Sequence, residues 1–172
     1  MSAAEEPRTS RLFNAASDIL RRPSMRRVTR TLSALHSAVY RWTGGRAQNR
    51  KYPTMLLGVV GRRTGRRRTV PVIYIKDGDR FVVAAAYSGS DTDPDWWLNL
   101  RANPFAEVQV QKSTFHVEAA QADAAERPEL WRRLVQMYPY FTDYQKRTSR
   151  EIPVIVLTPV LRRRHPGRNP DG

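Results

Sequence analysis

The 172-residue chain has no cysteine, which excludes disulfides, thiolate zinc sites and cysteine nucleophiles together. Its three histidines, His36, His116 and His165, are scattered and share no metal-ligand spacing. No run approaches the ~20 apolar residues that a membrane-spanning helix needs. No apolar segment near the N-terminus reads as a secretory signal, so a cytoplasmic protein is expected. Acids are missing where bases are densest: residues 41–70 hold nine Arg or Lys and no Asp or Glu. No internal repeat is visible, and no Ser-His-Asp, paired-carboxylate or lysine-nucleophile arrangement assembles. Asp91, Asp93 and Asp95 alternate, but in a loop and helix cap where acids are favoured on capping grounds alone.

What is present is a strongly basic chain with material for a core. The formal charge is +14, the hydrophobic share is 40%, and there are four tryptophans. Such a charge implies attraction to nucleic acid, an anionic membrane surface or an anionic small molecule. It is concentrated in Gly61-Arg62-Arg63-Thr64-Gly65-Arg66-Arg67-Arg68, where two glycines bracket a loop with five arginines. Glycine lets the backbone turn sharply and approach a ligand closely. Arginine offers a rigid fork of donors that suits phosphate and carboxylate. The stretch reads as a clamp for a small polyanion or as a solvated basic loop, and the residues alone leave both open.

Periodicity divides the chain. A short helical pattern runs from Ser10 to Leu20, and a clearer one places Met25, Val28, Leu32, Leu35, Val39 and Trp42 on one face before Gly44-Gly45 stops it. That basic amphipathic helix either packs on the main domain or lies against an anionic membrane. Strands are predicted at Met55–Val60, Thr69–Ile75, Phe81–Ala86, Ala106–Gln111, Thr114–Ala120 and Ile152–Leu157, with Asp77-Gly78 marking a two-residue hairpin. Asp93-Pro94 opens a helix, as N-cap and first helical residue, that ends near Asn103-Pro104. Arg127–Met137 is helical, and an aromatic-rich segment from Tyr138 to Tyr144 follows it. Six strands with short helices predict an α+β fold, a small and mainly antiparallel barrel with peripheral helices. The expected organisation is a helical extension over 1–45, the barrel over 46–160 and a disordered basic tail over 161–172.

An anion loop, the small-residue strand Ala84-Ala85-Ala86, two adjacent tryptophans and an aromatic cluster suit a planar cofactor with a phosphorylated tail. Basic residues interleaved with aromatics also suit single-stranded nucleic acid. The order of motifs resembles the deazaflavin-dependent nitroreductase family, split β-barrel oxidoreductases (FMN-binding-like) that use coenzyme F-420. The pieces are Leu35-His36 through Thr43-Gly44-Gly45, then Gly61-Arg62-Arg63-Thr64-Gly65 with Arg68, Pro71, and Asp77-Gly78-Asp79-Arg80. Pro94 with Trp96, Leu98-Asn99-Leu100, Asn103-Pro104, Met137-Tyr138-Pro139, Asp143-Tyr144-Gln145 and Ile152-Pro153 complete them.

The resemblance implies hydride transfer from reduced F-420 to a lipophilic acceptor, a menaquinone-like quinone or a nitro compound, with FMN the less favoured cofactor. It implies that Arg62, Arg63, Thr64, Gly65 and Arg68 hold the phosphate and oligoglutamyl tail. Pro71 belongs to the same cofactor site, Ala84, Ala85, Ala86 and Tyr87 lie along the ring, and Trp96 and Asn99 help to fix it. Tyr138 and Tyr144 serve as the catalytic phenols facing the acceptor, in a pocket shared with Phe141 and Trp96. Ala86 and Phe141 stand where the family often has hydroxyl-bearing residues, so a quinone is favoured over nitro drugs. The resemblance disfavours nucleic acid, while the basic helix from Met25 to Trp42 leads to an expected peripheral contact with the inner face of an anionic membrane. A nucleic-acid-binding barrel and a non-catalytic F-420 carrier are the alternatives.

Overall fold

Alternating apolar residues set the sheet. The computed structural model describes residues 52–160 and places six strands there: β1 (Thr54–Val60), β2 (Arg67–Asp77), β3 (Arg80–Ala84), β4 (Phe105–Val110), β5 (Ser113–Gln121) and β6 (Val154–Pro159). They close into a barrel in the order β1-β2-β3-β6-β5-β4, with β4 returning to β1 and every pairing antiparallel. Closure leaves no free sheet edge. Three helices are described: α1 (Asp95–Ala102), α2 (Arg127–Met137) and α3 (Tyr140–Lys146). The helical patterns at Ser10–Leu20 and Met25–Trp42, the motifs before residue 52 and the basic tail lie outside the described residues.

Strand β2 changes partner along its length. Arg67 to Ile73 pair with β1, whereas Tyr74 to Asp77 pair with β3. Pro71, opposite Leu56, falls in the half that β3 does not reach, where a residue without an N–H interrupts no second ladder. The turn at Gly78-Asp79 links β2 to β3, with Asp77 and Arg80 as the last paired residues; Gly78 takes φ 57.

Two apolar clusters explain the sequence runs. Met55, Leu57, Val59, Phe81, Val83, Val108, Val117, Ile155 and Leu157 fill the barrel interior, and α1 adds Trp97 and Leu100. Val82, Val154 and Val156, from the opposite faces of β3 and β6, join Leu130, Leu134, Tyr138, Phe141 and Tyr144 of the helical layer. Strands β3 and β6 are thus buried on both sides, which accounts for their unbroken apolar runs. Each fully buried large aliphatic contributes on the order of 1.5–3 kcal/mol.

Helix α2 is also tied to the hairpin by charge. Arg133 bonds Asp77 at 2.7 Å, and Arg80 bonds both Asp77 and, at 3.1 Å, Glu126. Hydrogen bonds from Arg133 and then Arg80 hold the Asp77 carboxyl below its ordinary value.

The structure corrects two local expectations and refines a third. Pro94, not Asp93, is the residue flanking α1, whose first helical residue is Asp95; Asp93 instead bonds Arg150 at 2.9 Å. The aromatic-rich segment forms a helix of its own over Tyr140–Lys146. Strand β6 begins at Val154, since the Ile152 amide is taken by the Gln145 side chain at 2.9 Å.

Candidate functional site

The arginine loop joins β1 to β2, and backbone bonds shape it. The Gly61 amide donates to Arg66 O at 2.9 Å, and Gly61 O accepts from the amides of Thr64 and Gly65 at 3.1 and 2.8 Å. Gly65 is left-handed at φ 65, a conformation glycine takes without steric cost. The loop's arginines divide into two kinds. Arg62 is a strut: its amide and its Nη1 both donate to Asn99 Oδ1, at 3.1 and 2.9 Å, and its guanidinium meets Asp95 at 3.4 Å. Arg67 is neutralised by Glu107 at 2.9 Å. Arg63, Arg66 and Arg68 are exposed and have no ion pair among the described residues. Thr64 turns its hydroxyl toward the Arg66 amide at a long 3.4 Å.

The small-residue segment lies at the end of β3. Ala84 is half-buried, while Ala85 belongs to the interior cluster and Ala86 to the helical-layer cluster. Tyr87, Ser88 and Gly89 then take positive φ in succession, 46, 55 and 76. Tyr87 is exposed, and Trp96 is half-buried against the barrel interior. Asn99 is buried and committed to Arg62.

The aromatic cluster is closed on itself. Tyr138, Phe141 and Tyr144 are all buried, and the Tyr138 and Tyr144 hydroxyls stand 3.5 Å apart, a long hydrogen bond. Rings of Tyr52, Phe141 and Tyr140 surround Tyr138 with centroids at 4.8, 4.9 and 5.2 Å. Burial, reinforced by the bond with Tyr144, pushes the Tyr138 phenol well above its ordinary value. It stays a neutral donor across the physiological range. Phe141 packs on Trp131 at 6.1 Å and adds no polar atom.

Comparison with known proteins bears directly on this arrangement. Residues 32–159 match the family model described as F420H(2)-dependent quinone reductase. The chain belongs to that family. An F420H(2)-dependent quinone reductase of Mycobacterium tuberculosis is 38% identical over 133 residues, covering 74% of this chain and 89% of that one. Among solved structures, an F420-H2 dependent reductase aligns with a TM-score of 0.57 and 29% identity, over 61% of this chain and 93% of that one. A chain described as a domain-swapped dimer aligns with a TM-score of 0.60 and 25% identity, over 74% and 98%. The split-barrel architecture implied by the motif order is the one observed.

In this member of the quinone reductase family, the row Asp91, Asp93 and Asp95 ties the pieces together. Asp91 accepts from the Thr148 hydroxyl at 2.8 Å, Asp93 from Arg150 at 2.9 Å, and Asp95 from Arg62 at 3.4 Å. Each acid thus has its own partner, and no group of three or more metal-ligating side chains occurs among the described residues. The structure brings Arg62 to Asn99 and Tyr138 to Tyr144; it holds Arg62 away from the role of a free cation. Arg66 belongs to the loop that reads as a polyanion clamp but not to the residues the resemblance assigns, and Arg150 belongs to neither. Arg66 lacks an ion pair among the described residues just as Arg63 and Arg68 do, and Arg150 sits in an unpatterned connection, so neither carries a local signal.

Proposed function

We propose that the protein is an F-420-dependent oxidoreductase that reduces a lipophilic, menaquinone-like quinone. The observation that carries this reading is the set of exposed guanidiniums of Arg63, Arg66 and Arg68, unneutralised among the described residues and held on a loop whose shape does not depend on them. The donor set fits a polyanionic tail, since a hydrogen bond to a charged partner contributes about 1.5–3 kcal/mol. Arg63, Arg66 and Arg68 would hold the tail, with Thr64 and Gly65 shaping its seat and Arg62 and Asn99 bracing the loop. Pro71, the Ala84–Tyr87 backbone and Trp96 would border the ring. When bound, reduced F-420 supplies the hydride. Tyr138 keeps a neutral hydroxyl in an apolar setting beside that of Tyr144, where a phenol is suited to donate to a developing oxyanion. Phe141 keeps that setting apolar, which favours a quinone over nitro compounds.

No helix among the described residues is long and apolar enough to cross a membrane. A lipophilic acceptor and a +14 chain support peripheral work at the inner face of an anionic membrane.

The test mixes purified protein with reduced F-420 and a menaquinone analogue without oxygen and follows cofactor oxidation. Turnover is expected, with Tyr144→Phe slower by about 100-fold, the scale of one general-acid contribution at the low end. Cofactor binding no tighter than millimolar would end the proposal. Tight binding without turnover of any acceptor would leave a carrier, and tighter binding of FMN than of F-420 would reassign the cofactor. Nucleic-acid affinity that falls steeply with salt, without F-420 binding, would favour the basic-barrel alternative.

A further inference from the structure

The turn after β3 has a conformation that its own sequence does not favour. Left-handed backbone costs a residue with a Cβ roughly 1–2 kcal/mol, and Tyr87 and Ser88 both adopt it before Gly89 continues the turn. Such a conformation persists only where the surroundings impose it. A Cβ at Gly89 would come within 2.5 Å of Tyr144 O, so the turn is pressed against the backbone of α3.

One side chain spans both ends of this turn. The Arg150 guanidinium donates through Nη2 to Ala85 O at 3.0 Å and Ala86 O at 3.2 Å, before the turn. Through Nε it donates to Ser90 O at 2.8 Å, after the turn, and through Nη1 to Asp93 at 2.9 Å. Arg150 is itself braced, since its carbonyl accepts from Gln145 Nε2 at 2.8 Å and Thr148, two residues before it, bonds Asp91. The planar fork serves three carbonyls and a carboxylate at once, which an ammonium cannot reproduce.

We infer that Arg150 is a positioning residue: it clamps the strained turn at Tyr87–Gly89 and so presets the segment along which the cofactor ring is proposed to lie. Independently of Arg150, Gly89 packs against Tyr144 O and keeps the turn beside the helix that carries an acceptor-side phenol. The inference rests on the F-420 reading of the site. Its energetic logic is preorganisation, because a turn that is already fixed needs no ordering when ligand arrives.

The experiment compares the parent with Arg150→Lys, Arg150→Gln and the control Arg133→Gln, whose arginine is similarly engaged by Asp77 and Lys76 O but lies at the β2–β3 hairpin. Each is measured for thermal stability, F-420 affinity by fluorescence titration, and steady-state kinetics. Arg150→Lys is expected to weaken F-420 binding and raise its KM by about tenfold, the scale of one lost charge-assisted hydrogen bond. Saturating kcat should change by less than about twofold, because the phenols remain in place. Arg133→Gln should lose stability without losing affinity. If Arg150→Gln does not fold, Arg150→Lys decides alone. F-420 affinity of Arg150→Lys equal to the parent's overturns the inference while leaving the F-420 reading intact. An equal loss of affinity in Arg133→Gln also overturns it, by showing a general effect of stability. A parent that binds no F-420 overturns the reading and the inference together.

Discussion

The arginine loop at 61–68 and the aromatic segment at 138–150 solve opposite problems. In the loop, main-chain bonds around Gly61 and Gly65 fix the shape, and three guanidiniums are left without counterions among the described residues. In the aromatic segment side chains fix the shape, through buried rings, a phenol pair and the Arg150 fork. Mutual repulsion among the loop's cations weakens the ligand-free fold slightly and is relieved when an anion arrives. The difference teaches that affinity and geometry are stored separately, the first as unmet charge and the second as packing.

That separation is broken most directly by removing the charge. The triple variant Arg63→Gln, Arg66→Gln, Arg68→Gln should lose F-420 affinity by about 100-fold or more, since even two lost charge-assisted bonds of about 1.5 kcal/mol each reach that factor. Thermal stability should be unchanged or slightly raised, because repulsion is lost and no ion pair among the described residues is broken. Affinity that falls by no more than a few-fold would show that Arg62 or another group grips the tail, and would undo the division between strut and grip.

Two of the left-handed glycines, Gly65 and Gly89, sharpen the comparison next. An added Cβ at Gly65 meets nothing within 4 Å, whereas at Gly89 it meets Tyr144 O at 2.5 Å. Gly65→Ala should therefore cost only the left-handed backbone penalty, about 1–2 kcal/mol. Gly89→Ala adds a backbone collision and should cost about 3–5 kcal/mol, among the largest single-substitution effects. Denaturant midpoints measure both. Equal losses would mean that the turn at residue 89 yields as easily as the open loop, against the picture of a packed segment.

The same contrast explains what could be read from sequence. Strand positions and the barrel were legible because alternating apolar residues have one consistent burial, and the doubly buried β6 announced itself as the run Ile152–Leu157. Arg127–Met137 was legible to the residue, as its 3.6-residue periodicity matches the face packed on β3 and β6. The loop's glycines predicted a turn, yet which arginines stay unpaired depends on Asn99 and Glu107, distant in sequence. Asp93 read as a helix cap because local rules favour it there; its tertiary bond to Arg150, 57 residues on, won instead. The turn at Tyr87–Ser88 was invisible for the same reason, since it is imposed by α3 and Arg150 rather than preferred locally.

Alkali should separate the two regions with the smallest effect. Residues 61–68 include no phenol and no carboxylate, so the alkaline effect is sought on the aromatic side of the comparison. Tyr138 carries it, because burial and then Tyr144 raise its phenol well above the ordinary value. In the unfolded chain it ionises near pH ~10, while in the fold it remains neutral to higher pH. Its proton is therefore held more tightly in the folded state, and the associated stability is fully present below pH ~10. Above that, the unfolded state gains free energy by ionising first, and stability falls by up to about 1.4 kcal/mol per pH unit until the folded phenol also titrates. Tyr138→Phe lacks this term, so its unfolding free energy should decline less steeply than the parent's between about pH 9.5 and 11. Parallel declines would mean that the Tyr138 hydroxyl is as free to ionise in the fold as out of it, and the aromatic segment would then be no better sealed than the loop.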